Sequence, residues 1–234
     1  NEKIMREIKK KGGKIISDPK KIKTGTLVIR AHGAPPLFLS KDIVVVDATC
    51  PLVKRAQAAA QTLFRKGYQV IIIGEKEHPE IKGINGYIKN KAILIENELR
   101  AKKLKKTKKI GILAQTTQDL NTINKILKIL KKKSKKIKYL NTICPQVLIR
   151  QEELRQILKK TGGILIIGSR SSANTGRLAE IAKKSKKMVQ WVNSPQEIDI
   201  DKFKNLAVLG VVSGTSAPDW IIKGIVSKLK RLRS

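Results

Sequence analysis

The strongest constraint on this chain is that it repeats itself. Asp47-Ala48-Thr49-Cys50-Pro51 and Asn141-Thr142-Ile143-Cys144-Pro145 each close a stretch containing Ile or Val and open a helical pattern. The helical patterns run out near Gly67 and Gly162, and an apolar run follows each, ending at Gly74 and Gly168. Those glycines stand equally far from their cysteines, 50 to 74 and 144 to 168. The next loop keeps register again: His78 and Glu80 occupy the places that Ser172 and Asn174 occupy in the second copy. Self-similarity at this scale means a fold assembled from like supersecondary units.

The apolar runs say what the units are made of. Short strands are expected at 14–17, 27–30, 43–47, 69–74, 92–96, 110–114, 137–140, 164–168, 188–192 and 206–212. Several run without alternation, as parallel strands covered on both faces do. Helical patterns lie between many of them, which selects the α/β class with mostly parallel sheets. Three units follow: 1–49, 50–143, and 144–234 with a C-terminal helix. The first opens inside a helical stretch, Asn1 to Lys11, and is expected to be incomplete. Its strand at 14–17 implies, by the repeat spacing, a cysteine roughly 30 residues before Asn1, heading the unit as Cys50 and Cys144 head theirs. A polar loop equivalent to 78–80 and 172–174 is expected just upstream of Asn1.

Charge narrows the classes of function. Lys and Arg total 51 against 18 Asp and Glu, a formal net charge of +33. The excess is mostly lysine, whereas arginine is the better reader of bases and phosphates. Aromatic residues are 3% of the chain, too few for a base-stacking platform. No specific nucleic-acid partner is expected, and the lysine runs read as solvated faces. No apolar run reaches the ~18 residues of a membrane helix and no signal-peptide pattern opens the chain, so a cytoplasmic protein without a membrane partner is expected.

A cysteine directly before a helix that begins with proline occupies the N-cap region. There the helix dipole favours a thiolate and any anionic centre it ligates. Three such cysteines converging on one point suit an iron–sulfur cluster with one iron left without a protein ligand. Zinc is disfavoured by the absence of paired C-x-x-C or H-x-H spacings. A disulfide is disfavoured without a secretory signal. Alone, two cysteines also fit as small buried hydrophobes.

The loops after the strands supply the rest. Ligands of parallel α/β folds bind outside the carboxyl ends of strands. His32, His78, Thr116, Ser172, Asn174 and Ser216 lie in such loops. Hydroxyls, imidazoles, an amide and helix N-terminal N–H groups are apt phosphate ligands. Glu80, two residues from His78, can donate or relay a proton. Each loop alone leaves the plainer alternatives open: Ser172 and Ser216 as helix caps, Glu80 as a first-turn helix acid.

Taken together, 47–53, 77–80, 115–117, 142–144, 150–151, 172–178 and 216–218 resemble the 4-hydroxy-3-methylbut-2-enyl diphosphate reductase (LytB/IspH) family over nearly the whole chain. The resemblance implies a trefoil of three α/β units around a [4Fe-4S] cluster held by three cysteines. It implies reductive removal of the allylic hydroxyl of 4-hydroxy-3-methylbut-2-enyl diphosphate, giving isopentenyl and dimethylallyl diphosphates in the non-mevalonate isoprenoid pathway. Cys50 and Cys144 are then cluster ligands, with the third upstream of Asn1. His32, His78, Ser172, Asn174 and Ser216 become diphosphate ligands; Thr116 and Glu80 hold the hydroxyl end, with Glu80 heading the proton relay. The implied electron donor is a ferredoxin or flavodoxin. Three departures stand out. The first cysteine and one diphosphate-binding histidine are missing, Gln146-Val147 replaces the usual Ala-Thr after the third cysteine, and Ala173 replaces a serine. The 234-residue chain alone is accordingly expected to hold cluster poorly and show little activity. The competing readings are a degenerate, non-catalytic paralogue acting as a binding protein, and a basic nucleic-acid-associated protein.

Overall fold

Parallel strand pairing organises the chain. The computed structural model describes residues 2–16, 18–37 and 39–231. Strands β1 (Gly25–Ile29) and β2 (Ile43–Asp47) form one sheet. Strands β3 (Gln69–Ile73), β4 (Ile93–Ile95), β5 (Lys109–Ala114) and β6 (Lys136–Tyr139) form a second, in the order β4-β3-β5-β6. Strands β7 (Gly163–Ile167), β8 (Met188–Val192) and β9 (Leu209–Ser213) form a third, in the order β8-β7-β9. Every one of these pairings is parallel, so the α/β class read from the sequence holds. The helices are α1 (Glu2–Lys10), α2 (Pro51–Arg65), α3 (Pro79–Gly86), α4 (Glu98–Lys102), α5 (Leu120–Leu130), α6 (Pro145–Lys160), α7 (Ala173–Lys183) and α8 (Asp219–Arg231).

Two expectations need correction. No strand forms at 14–16, and Ser17 lies outside the described residues. Ile15 and Ile16 are 53% and 41% exposed. Strand-forming residue types make a strand only where a neighbour pairs with them, and among the described residues none does. With no strand there, the repeat spacing no longer places a cysteine upstream of Asn1, and that expectation rests on the family resemblance alone. The run expected from 206 begins only at Leu209, because Leu206 donates its N–H to Phe203 in a turn. The helix expected over Asn1 to Lys11 is α1, with Asn1 outside the described residues.

The chain separates into two compact units, one of residues 16–144 and one of 1–15 with 145–234. In the first, α2 places Val53, Ala56, Ala60 and Leu63 on one face, the three-to-four spacing that turns an α-helix into a core element. Ala56, Ala60 and Leu63 pack with Val70 and Ile72 of β3, Ile81 and Ile84 of α3, and Leu113 of β5. In the second unit, β7 is buried along its whole length. Ile164 and Ile166 face Leu154 of α6 and Leu178 of α7. Leu165 and Ile167 face Ile221 and Ile225 of α8. Such burial on both faces is what the unalternating apolar runs encode.

Each cysteine-bearing loop is built alike. Asp47 accepts the N–H of Thr49 through Oδ1, and Asn141 accepts that of Ile143, two Asx turns. The Cys50 N–H donates to Ala31 O, two residues past β1, and the Cys144 N–H to Thr116 O, two past β5. The second loop carries an extra clamp. Thr142 Oγ1 donates to Ala114 O and accepts from Ala114 N, with Thr142 only 1% exposed. Replacing that hydroxyl by a methyl strands a buried N–H and C=O. Thr142→Val is therefore expected to lower unfolding free energy by about 1–3 kcal/mol, measured by urea denaturation, with Thr142→Ser losing much less.

Candidate functional site

In unit 16–144 the segments that follow the carboxyl ends of β1, β2, β3, β5 and β6 carry His32, Cys50, His78 with Glu80, Thr116 and Cys144 in turn. After β1 the chain turns at Gly33, whose N–H donates to Arg30 O. Gly33 has φ +73°, and a Cβ there would stand 2.7 Å from Gln57 Nε2 on α2. Only glycine fits both demands, and the turn fixes His32 beside it. The rings of His32 and His78 meet edge to face with centroids 5.2 Å apart. His78 is also the N-cap of α3, its Nδ1 accepting the Glu80 N–H at 3.2 Å, which leaves the proton of the neutral ring on Nε2.

Crowding by neighbouring atoms shapes the electrostatics of this pair, although His32 still reaches solvent. Loss of hydration, then the neighbouring His78, then Arg30, depress the His32 pKa from 6.5 to about 4. His32 is thus a neutral imidazole at neutral pH. Its contribution to stability is complete above 6.5 and falls away as pH drops toward 4, where the unfolded chain binds a proton that the fold refuses.

Glu80 is only 1% exposed in the first turn of α3. Thr116, past the end of β5, donates its N–H to Glu80 Oε1 at 2.7 Å and its hydroxyl to Oε2 at 2.8 Å. Desolvation raises the carboxyl pKa, and the two Thr116 bonds oppose that rise without cancelling it. The folded state therefore holds this proton to higher pH than the unfolded chain. That contribution favours folding at acid pH and is lost as pH rises through the raised value. A buried carboxyl with an elevated pKa beside a hydroxyl is equipped to hold and hand over a proton.

Both cysteines are free and half-buried. Cys50 is the N-cap of α2, with Pro51 in its first turn, and its side chain makes no capping hydrogen bond. Cys144 directly precedes Pro145, the first residue of α6. Two uncommitted thiols at helix starts are donors of the type an iron–sulfur cluster takes. Among the described residues no group of three or more His, Cys, Asp or Glu is placed to hold a metal ion.

In the other unit, Ser172 caps α7 by accepting the Thr175 N–H, and the same oxygen accepts the Ser216 hydroxyl at 3.3 Å. Asn174 is 3% exposed, its amide donating to Thr215 Oγ1 while Oδ1 has no hydrogen-bond partner. The loop after β9 reaches α7 this closely because Gly214 has no side chain; a Cβ there would lie 2.1 Å from Thr175 Oγ1. Ser172, Asn174 and Ser216 are thus gathered at one helix N-terminus, where N–H groups and dipole favour an anion. Ala173 is the first residue of that helix and Val147, of α6, is 2% exposed.

Three residues of these motifs carry contacts that the sequence did not assign to them. Gln115 is fully buried, accepting the Glu75 N–H and donating to Thr117 Oγ1, so it ties the loops after β3 and β5 together. Thr142 clamps the approach to Cys144, and Thr215 engages Asn174. Only their place inside the motifs that carry the site residues could have flagged them.

Fold and site together define a parallel α/β enzyme class in which polar side chains collect beyond the strand ends. The family model described as LytB protein matches residues 1–230. The 4-hydroxy-3-methylbut-2-enyl diphosphate reductase of Geobacter metallireducens is 34% identical, over 99% of this chain and 83% of the relative. That of Dictyoglomus thermophilum is 38% identical over the same shares. The structure of the E-1-hydroxy-2-methyl-but-2-enyl-4-diphosphate reductase of Plasmodium falciparum is similar with a TM-score of 0.93 and 27% identity, over 98% of this chain and 75% of that one. This chain belongs to the LytB family.

The His32 environment has a direct readout. In an NMR titration its ring is expected to protonate with a midpoint near 4, and His78→Asn to move that midpoint upward. The variant midpoint stays below 6.5, since desolvation is the larger cause.

Proposed function

We propose that this protein is a 4-hydroxy-3-methylbut-2-enyl diphosphate reductase of the non-mevalonate isoprenoid pathway. The observation that carries the reading is the two-point bond from Thr116 to the buried Glu80, set in the same unit as two free cysteines at helix starts. Family membership and the reductases that match nearly the whole chain support it.

In this reading Cys50 and Cys144 ligate a [4Fe-4S] cluster, which when bound supplies electrons and Lewis acidity for reductive cleavage of the allylic C–O bond. The chain's own residues do the remaining work. Ser172, Asn174 and Ser216 of one unit and His32 and His78 of the other are the diphosphate ligands that the family resemblance implies. Thr116 orients the substrate hydroxyl through its own. Glu80, whose proton burial holds to higher pH, delivers a proton toward that hydroxyl, so that oxygen leaves as water while two electrons and a second proton complete the product. The division into units 1–49, 50–143 and 144–234 around the cluster belongs to the same proposal. So do a ferredoxin or flavodoxin as electron donor and a cytoplasmic location. Among the described residues no helix is long and apolar enough to cross a membrane.

The test is anaerobic turnover with a chemical reductant. Glu80→Gln is expected to lower kcat by about 100-fold or more, the usual worth of a general acid, with KM within a few-fold. Asn174→Ala is expected mainly to raise KM. Undiminished kcat in Glu80→Gln removes the proton role; the 234-residue chain alone is expected to turn over little, and absence of turnover once a third cluster-ligating cysteine is supplied upstream of Asn1 removes the reading itself.

A further inference from the structure

The part of unit 16–144 built on the sheet β4-β3-β5-β6 is electrically polarised. The acids between Pro51 and Cys144 are Glu75, Glu77, Glu80, Glu96, Glu98 and Asp119, and each follows the carboxyl end of a strand. No acid lies in the segments that lead into β5 and β6, residues 99–108 and 131–135, which are dense in lysine. Because β3, β5 and β6 pair in parallel, those segments lie at one end of the sheet, opposite the end that carries Glu80 and Thr116.

The two lysine segments are held together. Thr107 donates its N–H to Lys133 O at 2.9 Å, and Lys133 Nζ donates back to Lys102 O at 2.8 Å. Lys109 Nζ bonds Lys66 O at the end of α2 and lies 4.1 Å from the centroid of the Tyr68 ring. Helix dipoles account for lysines in a last turn, such as Lys102 and Lys128. They do not account for Lys105, Lys106 and Lys108, or for Lys135, which lie exposed beyond the helix ends. Fixing this many like charges at one pole is unfavourable unless a counter-charge comes from outside.

We infer that this pole, formed by residues 102–109 and 131–136, is a docking surface for the phosphate backbone of duplex nucleic acid, bound without sequence preference. The chemistry favours that occupant. The exposed groups are point-charge ammoniums rather than arginine forks, the form that neutralises phosphates without reading bases. An acidic protein partner would be expected to find aromatic or arginine anchors, and a membrane surface to find apolar side chains for insertion. The two segments present lysine almost throughout, with Leu104 half-buried.

The test is fluorescence anisotropy of a labelled 20-base-pair duplex of arbitrary sequence, titrated with the chain across a salt series. Substituting Lys105, Lys106, Lys108, Lys132 and Lys135 by Gln is expected to weaken binding at least 10-fold. It is also expected to flatten the log–log salt slope by about 4, near 0.9 per lost phosphate contact. A control with Lys9, Lys159, Lys160, Lys183 and Lys187 changed to Gln carries the same net charge and is expected to stay within two-fold of the parent. Thermal unfolding verifies that both variants are folded. Equal weakening in the two variants assigns the binding to overall charge and overturns the proposal. Competition by polyglutamate as effective as unlabelled duplex at equal charge overturns the choice of partner.

Discussion

Every strand pairing in the three sheets is parallel, and that geometry decides where the chemistry sits. A parallel sheet sends the chain back through a helix after each strand, so carboxyl ends of strands and amino ends of helices gather on one side. Within unit 16–144 both cysteines, the two histidines, Glu80 and Thr116 each follow the carboxyl end of a strand; within the other unit, taken by itself, the serine–asparagine group does the same. Helix N-terminal N–H groups arrive with them, so a surface suited to anions follows from topology before any side chain is chosen.

The Glu80–Thr116 contact shows how the fold supports a group that would otherwise be costly. A carboxyl held at 1% exposure resists ionisation. Two bonds from a single residue keep it aligned in either protonation state. Gln115, next to Thr116, ties this loop to Glu75 and so fixes the distance between the ends of β3 and β5. Rigid loops on short buried strands give a proton donor a fixed address, which geometry-dependent catalysis requires.

Much of this was legible in the residues. Continuous apolar runs such as Val70–Ile73 and Ile164–Ile167 became strands buried on both faces, because nothing else in the chain could hide them. The cysteine motifs were legible as well: proline after cysteine marks a helix start. Ile15 and Ile16 misled, since strand formation depends on a partner that composition does not reveal. Among site residues, Ser172 was read either as a cap or as a ligand, and its oxygen in fact caps α7 while accepting from Ser216. Thr142 and Gln115 escaped notice because their value lies in contacts to residues about 30 to 40 positions away, and no local pattern records such distances.

The hydrogen bond from each cysteine amide to the loop after the neighbouring paired strand, β1 or β5, has a bearing on how the chain can be taken apart. In order of sequence, Cys144 opens a new repeat; in space, its N–H is fastened to Thr116 O and the compact unit 16–144 ends with it. Repeat and compact body are therefore offset by one joint. The natural seam for dissection or circular permutation runs just after the cysteine, and a cut at the start of the motif would carry the thiol away from the framework that aims it.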